Sequence, residues 1–391
     1  MIDDKKNKKL KIALLANTSW YFYNFRLSLI EFLIQNNYEI HLICPYDNYT
    51  KNLKAKGITI HNWELKSSSA NFFMEIKSIY FLYNIYKKIN PDISHNFTIK
   101  CVMYGTLISN ICNIKHIINS ITGLGNVFIS NQLKYKFIKL IIIPIYKLII
   151  KRSKANLIFQ NKSDLNLFIK LNISNKKNSF LIRGSGIDTN YFKNDQIIKD
   201  FPKSKKWKIL FPSRLIKEKG IDELIVACDN LWLKTKNFNL FLAGEFDLNP
   251  RVNLNNEYFK KLKNREYVEG CQHQTNMRNL YMQSDIVILP SWREGLSRSL
   301  LEAGSMELPI ITTNVPGCKD IILDGKTGLL VNKKDPKSIE DAMYFLMNNK
   351  NLCKKFSRNI RFHIENNFTN DIVNKQTLVL YKKILSQHIK L

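Results

Sequence analysis

The chain has 391 residues, of which 45% are hydrophobic and 12% aromatic, so it is too apolar for an intrinsically disordered protein. This length exceeds what one hydrophobic core usually supports, which predicts two domains. Lysine and arginine number 60 against 32 acidic residues, and the resulting net charge of +28 calls for an anionic partner.

In the first half of the chain, short apolar runs alternate with helical patterns. We predict a helix at residues 25–34, where Phe25, Leu29 and Phe32 share one face. We predict strands at residues 11–17, 38–45, 58–63, 93–97, 116–121, 155–160 and 179–182. Such alternation is typical of a parallel sheet with helices on both faces.

The positive charge is concentrated in the same half. Residues 51–162 contain 17 lysines and arginines against three acidic residues, and they include the most hydrophobic run, 137–150. That run is too short to span a bilayer and contains Lys139 and Lys147. Two interpretations stay open: a buried helix of the first domain, or an amphipathic helix resting on anionic lipid.

The alternation of strands and helices breaks at residues 184–188. A polar segment with Pro202 follows, which predicts a linker. Further strands are predicted at residues 207–212, 238–243, 267–268, 286–289, 310–313 and 329–331. We therefore expect an α/β fold of two doubly wound, Rossmann-like domains facing across a cleft. The predicted parts are an acceptor-binding domain at 1–190, a linker at 191–206, a nucleotide-binding domain at 207–368, and a C-terminal helix at 369–391 that packs back on the first domain.

The segment 289–303, LPSWREGLSRSLLEA, combines a strand end, a turn and the start of a helix. The backbone N–H groups of Gly295, Leu296 and Ser297 would lie at the helix N-terminus, which favours an anion. Glu294 is in the turn. Glu302, two helical turns further, is placed to hold the vicinal hydroxyls of a ribose. Either glutamate alone would be an ordinary surface residue.

Two cations follow the strand predicted at residues 207–212. Arg214 ends this strand, and Lys219 precedes a helix that begins near Ile221. Fixed cations here can stabilise the charge on a leaving diphosphate. Gly244 and Val268 mark two further strand ends, where loops are predicted to contact a nucleotide base.

The candidate residues of the first half are His95, Thr122 and Gly123, near the ends of predicted strands. They are predicted to line a substrate pocket. For His95, a catalytic role and a hydrogen-bonded structural role both stay open.

Together these segments resemble glycosyltransferase family 4, the retaining transferases of the GT-B fold. Residues 186–192, 316–318 and 324–331 also resemble the family, and 98–100, 104–105 and 121–125 resemble its bacterial members that extend lipid-linked saccharides. The resemblance implies that Arg214 and Lys219 bind the donor diphosphate, that Glu294 contacts the donor sugar, and that Glu302 contacts the ribose. Many members have a histidine before Gly123, where this chain has Thr122.

The resemblance implies a retaining transferase that moves a hexose or N-acetylhexosamine from a nucleotide-sugar, with UDP as the expected nucleotide, to a polyprenyl-diphosphate saccharide. It implies no metal and no other cofactor, and the chain has no Asp-x-Asp cluster. We expect a cytoplasmic protein on the inner face of the plasma membrane, because its seven cysteines form no C-x-x-C pair and residues 1–6 lack a signal-peptide pattern. The alternatives are a nucleotide-sugar epimerase of the same fold and a basic nucleic-acid-binding protein. No helix-turn-helix, zinc or RNA-binding aromatic motif supports the latter, and we expect no nucleic acid as a partner.

Overall fold

A computed structural model describes residues 9–65, 72–124, 133–195, 200–202, 204–244, 256–271 and 276–386. The chain forms two compact units. The N-terminal unit comprises Met1–Gly186 and Asn370–Leu391, and the C-terminal unit comprises Ile187–Thr369. The C-terminal helix is thus part of the N-terminal unit.

The N-terminal unit has a parallel sheet of seven strands in the order β3-β2-β1-β4-β5-β6-β7. Its strands are β1 (Lys11–Leu15), β2 (Glu39–Cys44), β3 (Thr59–Asn62), β4 (Ile93–Phe97), β5 (His116–Ile121), β6 (Asn156–Phe159) and β7 (Ser179–Leu181). Its described α-helices before β7 are α1 (Ser19–Tyr21), α2 (Leu27–Gln35), α3 (Thr50–Ala55), α4 (Phe72–Ile89), α5 (Ile99–Ile111), α6 (Leu133–Ser153) and α7 (Lys162–Lys170). A π-helical turn, Phe22–Arg26, joins α1 to α2.

The C-terminal unit has a parallel sheet of six strands in the order β10-β9-β8-β11-β12-β13. Its strands are β8 (Trp207–Phe211), β9 (Phe238–Leu242), β10 (Val268–Cys271), β11 (Ile286–Leu289), β12 (Ile310–Thr313) and β13 (Leu329–Val331). Its described α-helices are α8 (Ile221–Lys234), α9 (Asn256–Lys263), α10 (Met277–Gln283), α11 (Arg298–Ser305), α12 (Pro336–Met347) and α13 (Lys350–Asn367). The last helix of the chain, α14 (Asn370–Ser386), returns to the N-terminal unit.

Each sheet has a topological switch point, where the strand order reverses. It lies between β1 and β4 in the N-terminal unit and between β8 and β11 in the C-terminal unit. Doubly wound sheets bind ligands outside the carboxyl ends of the strands at this point. A ligand site is therefore expected among the residues that follow these four strands.

The predicted α/β class and parallel sheets are confirmed, but several predicted boundaries differ. Within the segment 191–206, Phe192 and Phe201 are 6% and 3% exposed and belong to the C-terminal core, so their apolar burial makes this segment part of that unit. The first helix begins at Ser19, well before the predicted residue 25, because the Thr18 hydroxyl accepts a hydrogen bond of 3.0 Å from the Tyr21 N–H and caps it.

The hydrophobic run at residues 137–150 lies within α6. Tyr146 and Ile150 are each 1% exposed and pack in the core, whereas Leu140 and Leu148 are 71% and 64% exposed. The helix therefore buries one face and presents apolar side chains on another. Among the described residues, no helix combines the length and hydropathy needed to cross a bilayer.

Candidate functional site

A lysine and a glutamate meet at the switch point of the C-terminal sheet. Lys219 follows β8 and Glu294 follows β11, and the Lys219 Nζ lies 2.5 Å from the Glu294 Oε1. Their side chains are 19% and 12% exposed, so the pair is partly shielded from water. The Ser291 hydroxyl donates a second hydrogen bond of 2.7 Å to the same oxygen. The Glu294 Oε2 bonds to none of the described residues, which leaves it available as an acceptor.

Two glycines allow the loops around this pair to approach each other. Gly220 has φ +76°, and a Cβ there would lie 2.1 Å from the Pro290 carbonyl oxygen. Gly317 has φ +81°, and a Cβ there would lie 2.5 Å from the Glu294 carbonyl oxygen. Only glycine satisfies both the backbone conformation and the space at such positions. The Glu294 N–H also donates 3.1 Å to the Pro316 carbonyl, which fixes its loop against the segment after β12.

Glu302 lies on α11, on the next helical turns after this loop. Its Oε1 accepts 3.0 Å from the Arg298 Nε, and its Oε2 accepts 3.1 Å from the Tyr281 hydroxyl. Burial raises the pKa of Glu302, and the neighbouring Arg298 guanidinium partly opposes this rise. The carboxylate is thus oriented by two donors, and each oxygen retains a lone pair for a further hydroxyl.

The other predicted donor-site residues occupy different positions. Arg214 is exposed and lies just after β8. Gly244 packs against the backbone of this same segment so closely that a Cβ would lie 1.9 Å from the Ser213 carbonyl oxygen. Glu245, which follows Gly244, lies outside the described residues. Val268 is the first residue of β10 and pairs with Leu240 in the middle of β9. The strand predicted at residues 267–268 thus begins one residue later and extends to Cys271, so Val268 opens the strand and does not end it.

The predicted anion site at the start of α11 is only partly formed. The Ser297 N–H donates to the Gly317 carbonyl oxygen at 3.4 Å, so this donor is already used. Gly295 and Leu296 are half-buried in the turn between Glu294 and the helix. The helix itself is amphipathic, and its Leu300 and Leu301 anchor it in the core.

His95 has the environment of a structural residue. It is the third residue of β4, it is 1% exposed, and both ring nitrogens are bonded: Nδ1 to the Tyr381 hydroxyl at 2.5 Å and Nε2 to the Ser120 hydroxyl at 2.7 Å. Burial, together with the nearby Arg26, holds the pKa of His95 well below its usual range, so the ring is neutral. This geometry contradicts the predicted catalytic role, because neither nitrogen is available to a substrate.

Thr122 and Gly123 follow β5 directly, at the carboxyl end of the N-terminal sheet. Both are half-buried. The described chain continues to Leu124, and the rest of this glycine-containing turn lies outside the described residues.

Sequence reasoning missed the partners of the two glutamates. Ser291 stood inside the recognised segment without a role, and a hydroxyl three residues before a carboxylate was the available signal. Tyr281 lies 21 residues before Glu302 on another helix, and no local pattern indicated this contact. Within the described part of the chain, no cluster of three or more His, Cys, Asp or Glu residues could hold a metal ion.

Comparisons with known proteins give the family and the fold. A family model described as glycosyl transferases group 1 matches residues 193–363, and one described as glycosyl transferase 4-like matches residues 11–161. The N,N'-diacetylbacillosaminyl-diphospho-undecaprenol alpha-1,3-N-acetylgalactosaminyltransferase of Campylobacter jejuni is 25% identical over 96% of this chain and 99% of its own length. The capsular polysaccharide biosynthesis glycosyltransferase CapM of Staphylococcus aureus is 26% identical over 92% of this chain and 93% of its own. The crystal structure of Anabaena HepE in complex with UDP and glucose has a TM-score of 0.76 at 14% identity and covers 95% of this chain and 99% of that chain.

The two doubly wound parallel sheets are those of the GT-B fold, which the structure of HepE shares. The two family models together match most of the chain, one in each unit. The chain is therefore a glycosyltransferase, with a glycosyl transferase 4-like first unit and a second unit of the glycosyl transferases group 1.

Proposed function

We propose that the protein is a retaining glycosyltransferase that moves a hexose or N-acetylhexosamine from a UDP-sugar to a polyprenyl-diphosphate-linked saccharide during surface glycan biosynthesis. The observation that carries this proposal is the Lys219–Glu294 pair at the switch point of the C-terminal sheet. The transfer needs a cation beside the leaving diphosphate and a carboxylate beside the sugar. Lys219 and Glu294 supply these two groups next to each other.

The donor half of the proposal rests on the chemistry of three side chains. Lys219 and Arg214 provide positive charge after β8, where charge develops as the glycosidic bond breaks. Glu302, oriented by two donors, is suited to accept the hydroxyls of a ribose. UDP as the nucleotide is supported by HepE, whose crystal structure contains UDP.

In the reaction, the bond between the sugar C1 and the diphosphate oxygen breaks, and a bond from the acceptor oxygen to C1 forms on the same face. The proton of the acceptor hydroxyl passes to the departing diphosphate oxygen. Because Lys219 and Arg214 offset the charge on the diphosphate, we propose that the reaction needs no divalent metal. The α linkage in the name of the Campylobacter jejuni relative is the configuration that retention produces from an α-linked donor.

The acceptor half rests on that relative, whose name specifies a diphospho-undecaprenol saccharide. A lipid-linked acceptor places the enzyme at a membrane surface. The outward face of α6, with Leu140 and Leu148 exposed beside the basic residues Lys151 and Arg152, fits the interface of an anionic bilayer. We therefore propose peripheral attachment to the cytoplasmic face of the membrane.

A transfer assay tests the function. The purified protein is incubated with UDP-hexoses and UDP-N-acetylhexosamines and with a synthetic polyprenyl-diphosphate saccharide, with and without EDTA. We expect one donor to be consumed with formation of an α-linked product in both conditions. Release of free sugar without transfer, or a β-linked product, contradicts the proposal.

Liposome flotation tests the membrane surface separately. The double variant Leu140→Ser/Leu148→Ser removes two exposed apolar side chains from α6, and we expect about 10-fold weaker binding to anionic vesicles. The control is Leu233→Ser, which alters a leucine of the C-terminal unit that is 87% exposed. Equal loss of flotation in both variants contradicts the assignment to α6.

A further inference from the structure

A buried arginine lies at the switch point of the N-terminal sheet. Arg26 ends the π-helical turn after β1 and is 5% exposed. Its guanidinium carbon lies 4.6 Å from the centre of the Phe97 ring, at the carboxyl end of β4. Its Nε donates to the Tyr21 hydroxyl at 3.0 Å, and its Nη1 to the Gly184 carbonyl oxygen at 3.5 Å. The Nη2 has no hydrogen-bond partner among the described residues.

No carboxylate among the described residues pairs with this guanidinium. Two acidic residues of this unit, in the loop after β2 and at the start of α4, have other partners. Asp47 accepts from the Ser19 hydroxyl, and Glu75 accepts 2.7 Å from the Lys100 Nζ. A charge that is taken out of water without a counter-ion destabilises the fold unless a ligand supplies the opposite charge.

The titratable groups around Arg26 do not supply a negative charge either. Burial raises the pKa of the Tyr21 and Tyr381 hydroxyls, so both are neutral at physiological pH. Burial also raises the pKa of Cys101 to about 12, and it keeps His95 neutral as described above. The guanidinium is therefore the single charge of this cluster, with neutral hydrogen-bonding and aromatic groups around it.

The chain next to this cluster is strained. Thr98, directly after Phe97, has φ +69° and ψ 156°, a conformation that a β-branched residue rarely adopts. Strain of this kind is retained where the surrounding structure holds a functional geometry. Arg26 and Thr98 both follow the carboxyl ends of β1 and β4, the two strands at the switch point where doubly wound folds bind their ligands.

We propose that Arg26 binds an oxyanion of the acceptor, and specifically a phosphate of the lipid diphosphate. The planar guanidinium offers parallel N–H donors that match two phosphate oxygens, and the ligand then supplies a counter-charge that the described residues do not provide. This inference rests on the proposed function for the identity of the anion. It assigns to the N-terminal unit a binding residue for the acceptor's charged group, distinct from the donor cations of the C-terminal unit.

The test measures the binding of inorganic pyrophosphate and of farnesyl diphosphate to the full chain by calorimetry, with saturating UDP to fill the donor site. In Arg26→Gln we expect binding to weaken about 10- to 100-fold, as the loss of one or two charge-assisted hydrogen bonds predicts. The control Arg358→Gln, an exposed arginine of the C-terminal unit, leaves binding unchanged. We also expect Arg26→Gln to unfold at the same or a higher temperature, because it removes an uncompensated charge.

Unchanged pyrophosphate affinity in Arg26→Gln overturns the inference. The inference is also overturned if the wild type binds glucuronate as tightly as it binds the two diphosphates. If Arg26→Gln does not fold, phenylglyoxal modification of the wild type replaces it: pyrophosphate should protect Arg26 several-fold, and equal modification with and without pyrophosphate overturns the inference. Transfer activity is measured separately. Absence of transfer together with Arg26-dependent pyrophosphate binding refutes the proposed function and leaves this inference standing.

Discussion

The substitution Lys219→Met isolates the charge at the C-terminal switch point. Methionine keeps the length and the apolar stem of lysine but removes the ammonium group that lies 2.5 Å from the Glu294 Oε1. If Lys219 stabilises the leaving diphosphate mainly in the transition state, kcat should fall about 10²- to 10³-fold, as for other single electrostatic contacts. The KM for the acceptor should change little, since the contact is to the donor.

The same substitution breaks a partly buried ion pair. With side chains 19% and 12% exposed, the pair lies between exposed pairs, which contribute about 0–1 kcal/mol, and buried ones, whose disruption costs about 3–5 kcal/mol. We expect a loss of about 1–3 kcal/mol in the free energy of unfolding. Glu294→Gln in the same background gives a double-mutant cycle, in which the stability losses should be less than additive.

The assay is steady-state transfer to the polyprenyl-diphosphate acceptor at a temperature where the variants remain folded, with unfolding followed by circular dichroism. Lys217→Met is the matched control, because Lys217 is an exposed lysine of the same short helical turn, Lys217–Lys219. A kcat within tenfold of the wild type in Lys219→Met refutes the diphosphate role. A loss confined to the acceptor KM refutes it as well.

Three further substitutions probe neighbouring features. Glu302→Gln should weaken UDP binding about 10-fold without lowering the thermal midpoint, because burial raises the pKa of Glu302 and the fold disfavours its charged form. In the wild type, UDP affinity should decline as the pH falls through the pKa of Glu302, which lies above the ordinary 4.5. A wild-type affinity that does not change over this pH range contradicts the ribose role. Gly220→Ala should lower the free energy of unfolding in urea by about 2–4 kcal/mol, since φ is +76° and a Cβ would meet the Pro290 carbonyl. The control Gly325→Ala, at φ +66° with open space around it, should lower it by about 1 kcal/mol. Equal losses in the two variants would show that the contact at Gly220 is not tight. His95→Phe should lower stability by about 1–3 kcal/mol yet keep kcat, and a selective loss of kcat with intact stability would restore a catalytic role.

The C-terminal site was predictable from sequence because its parts are local. The apolar runs that became β8 and β11 end a few residues before Lys219 and Glu294, and the carboxyl ends of strands in a parallel sheet lie on the same side by topology alone. The short spacing between Glu294 and the start of α11 also constrained its loop. The pairing of Lys219 with Glu294 spans 75 residues, and only the strand order brings the two together.

The errors have a common cause, which is packing between distant segments. The role of His95 depends on Tyr381, 286 residues later in the chain, and no pattern near His95 indicates that contact. The predicted linker is mostly polar in sequence, but its Phe192 and Phe201 pack in the C-terminal core. The strand predicted at 267–268 was too short because Glu269 and Gly270 have low strand propensity, although pairing with β9 carries the strand on to Cys271.

The two switch points differ in how their cations are compensated. In the C-terminal unit Lys219 has a carboxylate partner, so a bound diphosphate must compete with Glu294 for the ammonium group. In the N-terminal unit the described hydrogen-bond and ring partners of Arg26 are neutral, so we expect an anion to bind there without displacing a carboxylate. A paired cation favours exchange, because the protein itself replaces the ligand when the diphosphate leaves. An unpaired buried cation favours a ligand that stays bound, which suits an acceptor whose diphosphate is unchanged by the reaction. Burial also limits screening by salt, so salt should weaken pyrophosphate binding less at Arg26 than at exposed Arg214.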